Sequence, residues 1–304
     1  MARMDLTGRP IAITGGNSGI GAAIALACAR AGMPLALGAR RADRLDRVAS
    51  MARELGVPVF TRSLDVRDAA ACREFIHLAW DELGPLYAVC ANAGYGLERP
   101  VHETDDAALR DIFETNFFGS MHVLRPAIER MLSAPADRPG PRGHLLMVSS
   151  CLAKMTVPLY GAYSATKAAQ NHIGRAMRLE LAPRGIRVST IHPITTRTDF
   201  FDTVKQQSDK RDIVAHAPAW FSQDASVVAD RTVACLRRDR PEVWTGFKGA
   251  FVRFGMCVNT LLPRLADWTT RGMVNAPAAR GAAPAGPDGP GGVGPAARPQ
   301  TDSA

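Results

Sequence analysis

Three side chains with acid–base chemistry stand in one short stretch of the chain: Ser150, Tyr163 and Lys167. Tyr163 and Lys167 are four residues apart, which on a helix puts both on one face, one turn from each other. A free tyrosine titrates near pH ~10 and carries protons poorly at neutral pH. An ammonium one turn away favours the phenolate and lowers that value. A tyrosine tuned in this way gives a proton to a carbonyl oxygen or takes one from an alcohol. Ser150 lies upstream, at the end of an apolar run from His144 to Ser149 that reads as a strand. A hydroxyl there can hold the same oxygen. Tyr-x-x-x-Lys arises by chance in many helices, so its weight depends on the elements that surround it.

Residues 9–14 read as a short buried strand, followed by Gly15-Gly16-Asn17-Ser18-Gly19-Ile20-Gly21 and an alanine-rich helix to about Ala31. Strand, glycine turn and helix in that order give a glycine motif its meaning. Glycines let the backbone approach a pyrophosphate, and the helix N-terminus offers N–H groups and a positive dipole end. Gly15, Asn17, Ser18 and Ile20 are the candidate contacts. A second strand, 34–39, ends at Arg40-Arg41. In dinucleotide-binding βαβ units that end faces the adenosine ribose, where an acidic residue would bind the 2′-hydroxyl of NAD. Two arginines stand there instead, and a guanidinium matches a phosphate in a bidentate way. The expected cofactor is therefore NADP(H). The alternative is a pair of solvated arginines at a helix start.

The alternation continues. Strands are expected over 57–61, 86–91, 144–149, 186–191 and 241–245, and helices over 43–55, 68–83, 105–132, 160–181 and 224–238. Strands alternating with helices imply an α/β fold, a doubly wound, mostly parallel sheet with helices on both faces. Ligands bind such sheets at the carboxyl ends of the strands. The glycine turn, Arg40, Asp65, Asn92, Ser150 and Pro193 all fall at those ends.

With these residues in place the chain resembles the short-chain dehydrogenase/reductase family over about residues 8–200. Thr14 to Gly21 fits its TGxxxGxG, Asn92-Ala93-Gly94 its NAG, and Asn116, Ser150, Tyr163 and Lys167 its catalytic tetrad. The resemblance implies a Rossmann-like single domain. It implies that Tyr163 is the acid/base and that Lys167 lowers its pKa and bonds the nicotinamide ribose. Ser150 would hold the substrate oxygen, and Asn116 would anchor a water linking Lys167 to solvent. Asp65 and Val66 would contact the adenine ring, Asn92-Ala93-Gly94 would support the sheet beside it, and Thr198 would contact the nicotinamide carboxamide. One departure stands out: the family's Pro-Gly is Pro193-Ile194 here. Isoleucine adds a stiff, branched side chain beside the expected nicotinamide, either narrowing the pocket or turning outward.

Composition bounds the remaining choices. The chain has 304 residues, 46% of them hydrophobic, enough for a sizeable core. Its net charge of +8 is spread along the chain without aromatic interleaving, which favours an Arg-rich enzyme surface over nucleic-acid binding. The six cysteines form no CxxC pair and no metal-ligand spacing, so they read as reduced core residues of a cytoplasmic protein with no metal. No signal-peptide core and no membrane span is expected.

The domain is expected to cover 1–272. A substrate lid is placed at about 195–223, with Phe200, Phe201, Trp220 and Phe221 as apolar surface. An apolar segment follows at 246–270, in which Phe247, Phe251, Phe254, Val258 and Leu261 share one helical face. That face reads as a lid or packed wall, an oligomer contact, or a peripheral membrane contact through 247–262. Residues 273–304 have the composition of a disordered tail. The expected protein is an NADP(H)-dependent oxidoreductase that interconverts a small-molecule carbonyl and a secondary or primary alcohol. Its substrate would be lipophilic or hydroxysteroid-like. The family resemblance implies a homodimer. The alternatives are a 3-oxoacyl thioester reductase and a dinucleotide-binding regulator without turnover.

Overall fold

A computed structural model of the chain describes residues 3–134, 140–155, 157–198 and 222–245, together with Met256, Leu261, Leu262, Arg264 and Asp267. Seven strands form one sheet, and every pairing in it is parallel. They are β1 (Ile11–Thr14), β2 (Leu35–Ala39), β3 (Val59–Ser63), β4 (Ala88–Ala91), β5 (Gly143–Val148), β6 (Ile186–His192) and β9 (Glu242–Trp244). Two further strands, β7 (Thr196–Arg197) and β8 (Gln223–Asp224), pair with each other. The order across the sheet is β3-β2-β1-β4-β5-β6-β9. The chain winds outward from β1 in one direction, then returns past it and winds in the other. The crevice between β1 and β4 is thus the switch point where such sheets receive a ligand.

Strands such as Ile-Ala-Ile-Thr are buried at every position because both faces are covered. The period of two divides them between two cores. Ile11 and Ile13 face one side, with Leu35, Leu37, helix α1 (Gly19–Arg30), helix α2 (Ala42–Glu54) and helix α7 (Ala225–Arg237). Ala12 and Ala36 face the other, with α3 (Ala69–Leu83), α5 (Gly119–Ser133) and α6 (Gly161–Leu181). Cys28, Cys72, Cys90, Cys151 and Cys235 are free and buried, while Cys257 lies outside the described residues.

Two expectations are corrected. The strand placed at 57–61 begins and ends two residues later, because the turn after α2 uses Gly56 at φ +84° and the chain pairs only from Val59 onward. The single helix expected over 105–132 is three pieces. They are α4 (Asp106–Phe113), a π-helical turn (Glu114–Phe118) centred on Asn116, and α5. A 3.6-residue period cannot announce a one-residue excess within a continuous helical path. Most of the expected lid, including Phe200, Phe201, Trp220 and Phe221, lies outside the described residues. So do Phe247, Phe251, Phe254 and Val258, and the tail 273–304. Leu261 is exposed. No helix among the described residues is long and apolar enough to cross a membrane.

A knot of hydrogen bonds ties the crevice. Asn92 Nδ2 donates to the carbonyls of Thr14 (3.0 Å) and Gly15 (3.3 Å), and the N–H groups of Asn92 and Ala93 donate to Thr14 Oγ1. Gly21 packs against it so closely that a Cβ there would lie 2.2 Å from the Gly15 carbonyl oxygen and 2.5 Å from Asn92 Nδ2. Gly16 is different, since the nearest atom its Cβ would meet is the flexible end of Leu37 at 3.2 Å, with Leu37 Cβ and the Ile13 carbonyl at ordinary contact distance. Gly21→Ala is expected to cost about 2–3 kcal/mol by overpacking against backbone, and Gly16→Ala under about 1 kcal/mol. Thermal denaturation of the two variants reads the contrast.

Candidate active site

The carboxyl end of β5 and the first turns of α6 bring the acid–base side chains together. Ser150, in extended conformation, caps the short turn Cys151–Ala153, and its Oγ accepts from the Leu152 N–H at 3.1 Å. The same hydroxyl is hydrogen-bonded to the Tyr163 phenol. Tyr163 and Lys167 lie on the buried face of α6, only 8% and 4% exposed. Leu97, Ile112, Tyr160 and Ala162 close around Tyr163, and the Tyr160 hydroxyl donates to the buried Glu98 carboxylate at 2.7 Å.

Lys167 differs from expectation. Its Nζ lies 5.6 Å from the centroid of the Tyr163 ring, and it donates to the Val148 carbonyl (2.9 Å) and to Gln170 Oε1 (3.0 Å). Burial raises the Tyr163 phenol well above its ordinary value, and the Ser150 hydrogen bond pulls only partly the other way. The phenol is therefore held as a neutral acid rather than driven toward phenolate. Burial also presses the Lys167 ammonium down from 10.5 to about 7.

Asn116 is fully buried, and its side chain is wholly engaged. Oδ1 accepts from the Tyr95 N–H at 2.9 Å, and Nδ2 donates to the Tyr95 carbonyl (2.9 Å) and Thr166 Oγ1 (3.1 Å). Thr166 in turn donates to the Tyr163 carbonyl at 2.7 Å. Asn116 thus ties the loop after β4 to α6. Its backbone carbonyl, in the π-helical turn, accepts from Ser120 Oγ (2.8 Å) and Gln170 Nε2 (2.6 Å). Sequence reasoning did not single out Gln170. The available signal was its place on the same helical face, seven residues after Tyr163 and three after Lys167.

The glycine turn fits a dinucleotide pyrophosphate. Gly15 and Gly19 have φ of +66° and +54°. A Cβ on Gly15 would lie 2.9 Å from Asn92 Nδ2, and one on Gly19 would lie 3.2 Å from Cβ of Thr198. Backbone is left bare where a side chain cannot go. Asn17 and Ile20 are half-buried in the same turn. Ser18 stands at the N-cap of α1 without a side-chain cap bond, and the first turn carries no acidic side chain. That end of the helix presents N–H groups and positive potential to an anion. Gly94 lies against Asn116, where a Cβ would meet Oδ1 at 2.8 Å and come within 3.6 Å of Lys167 Nζ.

Arg40 and Arg41 are exposed at the end of β2, and Arg41 Nη2 donates to Ser18 Oγ at 3.1 Å. Asp65 sits on the rim with its carboxylate clasped by Arg67 (2.7 Å), which also reaches Asp111 (3.0 Å). The Arg67 hydrogen bond, with further help from the Arg40 charge, holds Asp65 below the usual carboxylate range. Val66 is buried against Gly119.

On the other side of Ser150 the wall is apolar. The Pro193 carbonyl accepts from the Cys151 N–H at 3.0 Å, and Ile194 turns inward, 4% exposed, against Cys151 and Met256. Leu152, Met155 and Trp244 pack on that cluster. His192 Nδ1 donates to the Ser150 carbonyl at 3.0 Å, its Nε2 pairs with Thr190 Oγ1 at 3.0 Å, and the ring stacks on Trp244 at 4.6 Å.

The short chain dehydrogenase family model matches residues 9–209. The uncharacterized oxidoreductase YbbO of Escherichia coli is 35% identical over 236 residues, covering 77% of this chain and 84% of that protein. 11-beta-hydroxysteroid dehydrogenase A of Arachis hypogaea is 31% identical over 277 residues, covering 88% of this chain and 76% of that one. Among solved structures, an alcohol dehydrogenase from the archaeon Thermococcus sibiricus, complexed with 5-hydroxy-NADP, is 29% identical with a TM-score of 0.64, covering 77% of this chain and 94% of that one. A glycine cradle at the switch point, a serine and tyrosine in contact beyond β5, and a match that spans most of the sheet agree on one assignment: the chain belongs to the short-chain dehydrogenase/reductase family.

Proposed function

We propose that this oxidoreductase uses NADP(H) to interconvert a lipophilic, hydroxysteroid-like ketone or aldehyde and its alcohol, with Tyr163 as acid/base. The observation that carries the reading is the hydrogen-bonded Ser150–Tyr163 pair over a buried Lys167, on the same sheet edge as the glycine cradle. A nicotinamide dinucleotide held by that cradle would supply the hydride chemistry between its ring and the carbonyl or alcohol carbon. Ser150 holds the reacting oxygen and Tyr163 gives it a proton. As the proton leaves, the Lys167 charge beneath the ring opposes the negative charge left on the phenol oxygen. Burial keeps Tyr163 in its acid form, which supports carbonyl reduction as the working direction.

Support for a phosphorylated dinucleotide comes from the end of β2, where Arg40 and Arg41, and not a carboxylate, directly follow the strand. Asn17, Ser18 and Ile20 would line the pyrophosphate, Asp65 and Val66 the adenine, and Thr198 the carboxamide. Support for a lipophilic substrate comes from the Cys151, Ile194 and Met256 wall, and from similarity to a hydroxysteroid dehydrogenase. Buried free thiols suit a reducing, cytoplasmic setting. A homodimer through α5 and α6 is supported by Leu179 of α6 and by Phe118 in the π-helical turn that leads into α5, large apolar side chains left 75% and 46% exposed.

NADPH is expected to bind at least ~10-fold more tightly than NADH, and Arg40→Ala to remove most of that preference, since a hydrogen bond to a charged group is worth about 1.5–3 kcal/mol. Fluorescence titration with both dinucleotides reads it, and equal affinity in the wild type overturns the phosphate assignment. Tyr163→Phe is expected to lower kcat for reduction of a hydrophobic ketone ~10²–10⁴-fold with dinucleotide affinity kept. In the wild type the reduction rate should fall as pH rises through about 7, where Lys167 loses its charge. A rate that rises over that interval refutes the role given to the ammonium. Sedimentation at micromolar concentration should give twice the chain mass, and Leu179→Glu should give the monomer.

A further inference from the structure

Gln170 is fully buried and spans two groups of the site. Its Nε2 lies 2.6 Å from the Asn116 carbonyl and 2.8 Å from Ser120 Oγ, and its Oε1 lies 3.0 Å from Lys167 Nζ. The amide can sit only one way round. A backbone carbonyl accepts and never donates, so the NH₂ end must face Asn116 and the oxygen must face Lys167. The Asn116 carbonyl also accepts from Ser120 Oγ at 2.8 Å, so both of its lone pairs are committed to side chains. The water that the family resemblance implies, anchored by Asn116 and linking Lys167 to solvent, would find this carbonyl already engaged by two side chains.

We propose that Gln170 is a positioning residue that replaces a water between Asn116 and Lys167, its oxygen holding the lysine as a charged donor. An amide passes no proton along, so the same contact closes the Asn116 line to proton traffic. The proposal rests on the acid–base reading of Tyr163 and Lys167. The groups facing the ammonium are few. Tyr163 faces it from its own helix, the Val148 carbonyl from β5, and the Asn116 turn through Gln170. Burial alone accounts for its lowered pKa, with no carboxylate or second cation contributing. A change at Gln170 is therefore not offset by a neighbouring charge.

The test exploits a reversal. Gln170→Leu keeps the volume but accepts nothing. Gln170→Ala opens a space bordered by the Asn116 carbonyl, the Ser120 hydroxyl and the ammonium, polar enough to admit a water. A packing role makes the leucine variant the milder one, and the proposed role makes it the harsher. The chain has only five lysines, so ε-¹³C-lysine labelling of the full-length protein resolves Lys167 by NMR. The Lys167 midpoint is expected to fall by about one pH unit or more in Gln170→Leu, a ~10-fold loss of proton affinity, and by less in Gln170→Ala. Ketone-reduction kcat at pH 7 should follow the same order, with KM moving less. Gln170→Met replaces the leucine variant if that one does not fold. A wild-type midpoint in the apolar variant, or a larger fall in Gln170→Ala, overturns the proposal. A wild type that titrates as expected yet reduces no carbonyl would refute the functional reading, while the titration still decides the role of Gln170.

Discussion

An ammonium kept away from water must have its hydrogens taken by the protein. Lys167 meets that requirement with the Val148 carbonyl, the Gln170 oxygen and the face of the Tyr163 ring. Each of these partners in turn fixes a part of the site. Val148 is the last residue of β5, so the lysine pins α6 to the strand end that carries Ser150. Ser149 adds a bond in the same sense, its Oγ donating to the Lys167 carbonyl at 2.9 Å. Gln170 is held by Asn116 and Ser120, which requires the π-helical turn between α4 and α5. The neighbourhood has the form of a network in which nearly every polar atom has a partner, and losing one strands others in a low-dielectric interior.

The sheet order explains why this network lies where a dinucleotide can reach it. β1 and β4 part at the switch point, and the Asn92–Thr14–Gly15 bonds fix how far. β5 and β6 follow on one side, so Ser150 and Pro193 come level with the glycine turn without any long excursion of the chain. The parallel arrangement puts all these ends on one edge by construction. The placing of these strand ends therefore derives from strand register, and the loops inherit it.

Much of this was legible in the sequence because the signals are local. Strand–glycine turn–helix, Asn92-Ala93-Gly94 and the Tyr163–Lys167 spacing each declare themselves within a few residues. So did the alternation of elements, and with it the α/β class. What escaped depends on groups far apart in the chain. Asn116 in a π-helical turn reads as plain helix, because a one-residue excess leaves no mark on the apolar pattern. Gln170 reads as one more polar residue on a helix, and only its register with Tyr163 and Lys167 sets it apart. The Tyr160–Glu98 and His192–Trp244 contacts join segments that no periodicity connects. The direction of the Tyr163 shift was misjudged for a related reason. Spacing gives the distance of a charge along the helix, whereas burial is set by Leu97 and Ile112 from other elements, and burial prevails.

Ile194 shows how the two kinds of information combine. A glycine at that position would leave the backbone after β6 bare. Isoleucine instead fills the space beside Cys151 and Met256 and extends the apolar wall up to Ser150. The wall and the cluster around Tyr163 adjoin, since Leu152 packs on both. Dry surroundings strengthen the Ser150–Tyr163 hydrogen bond and the pull of Lys167 on developing charge. They also raise the cost of ionising either group alone, which is why the tyrosine is held neutral and the lysine is pressed toward neutrality. A site built in this way resists a resting charge on either group and leaves the two side chains dependent on each other's polar partners.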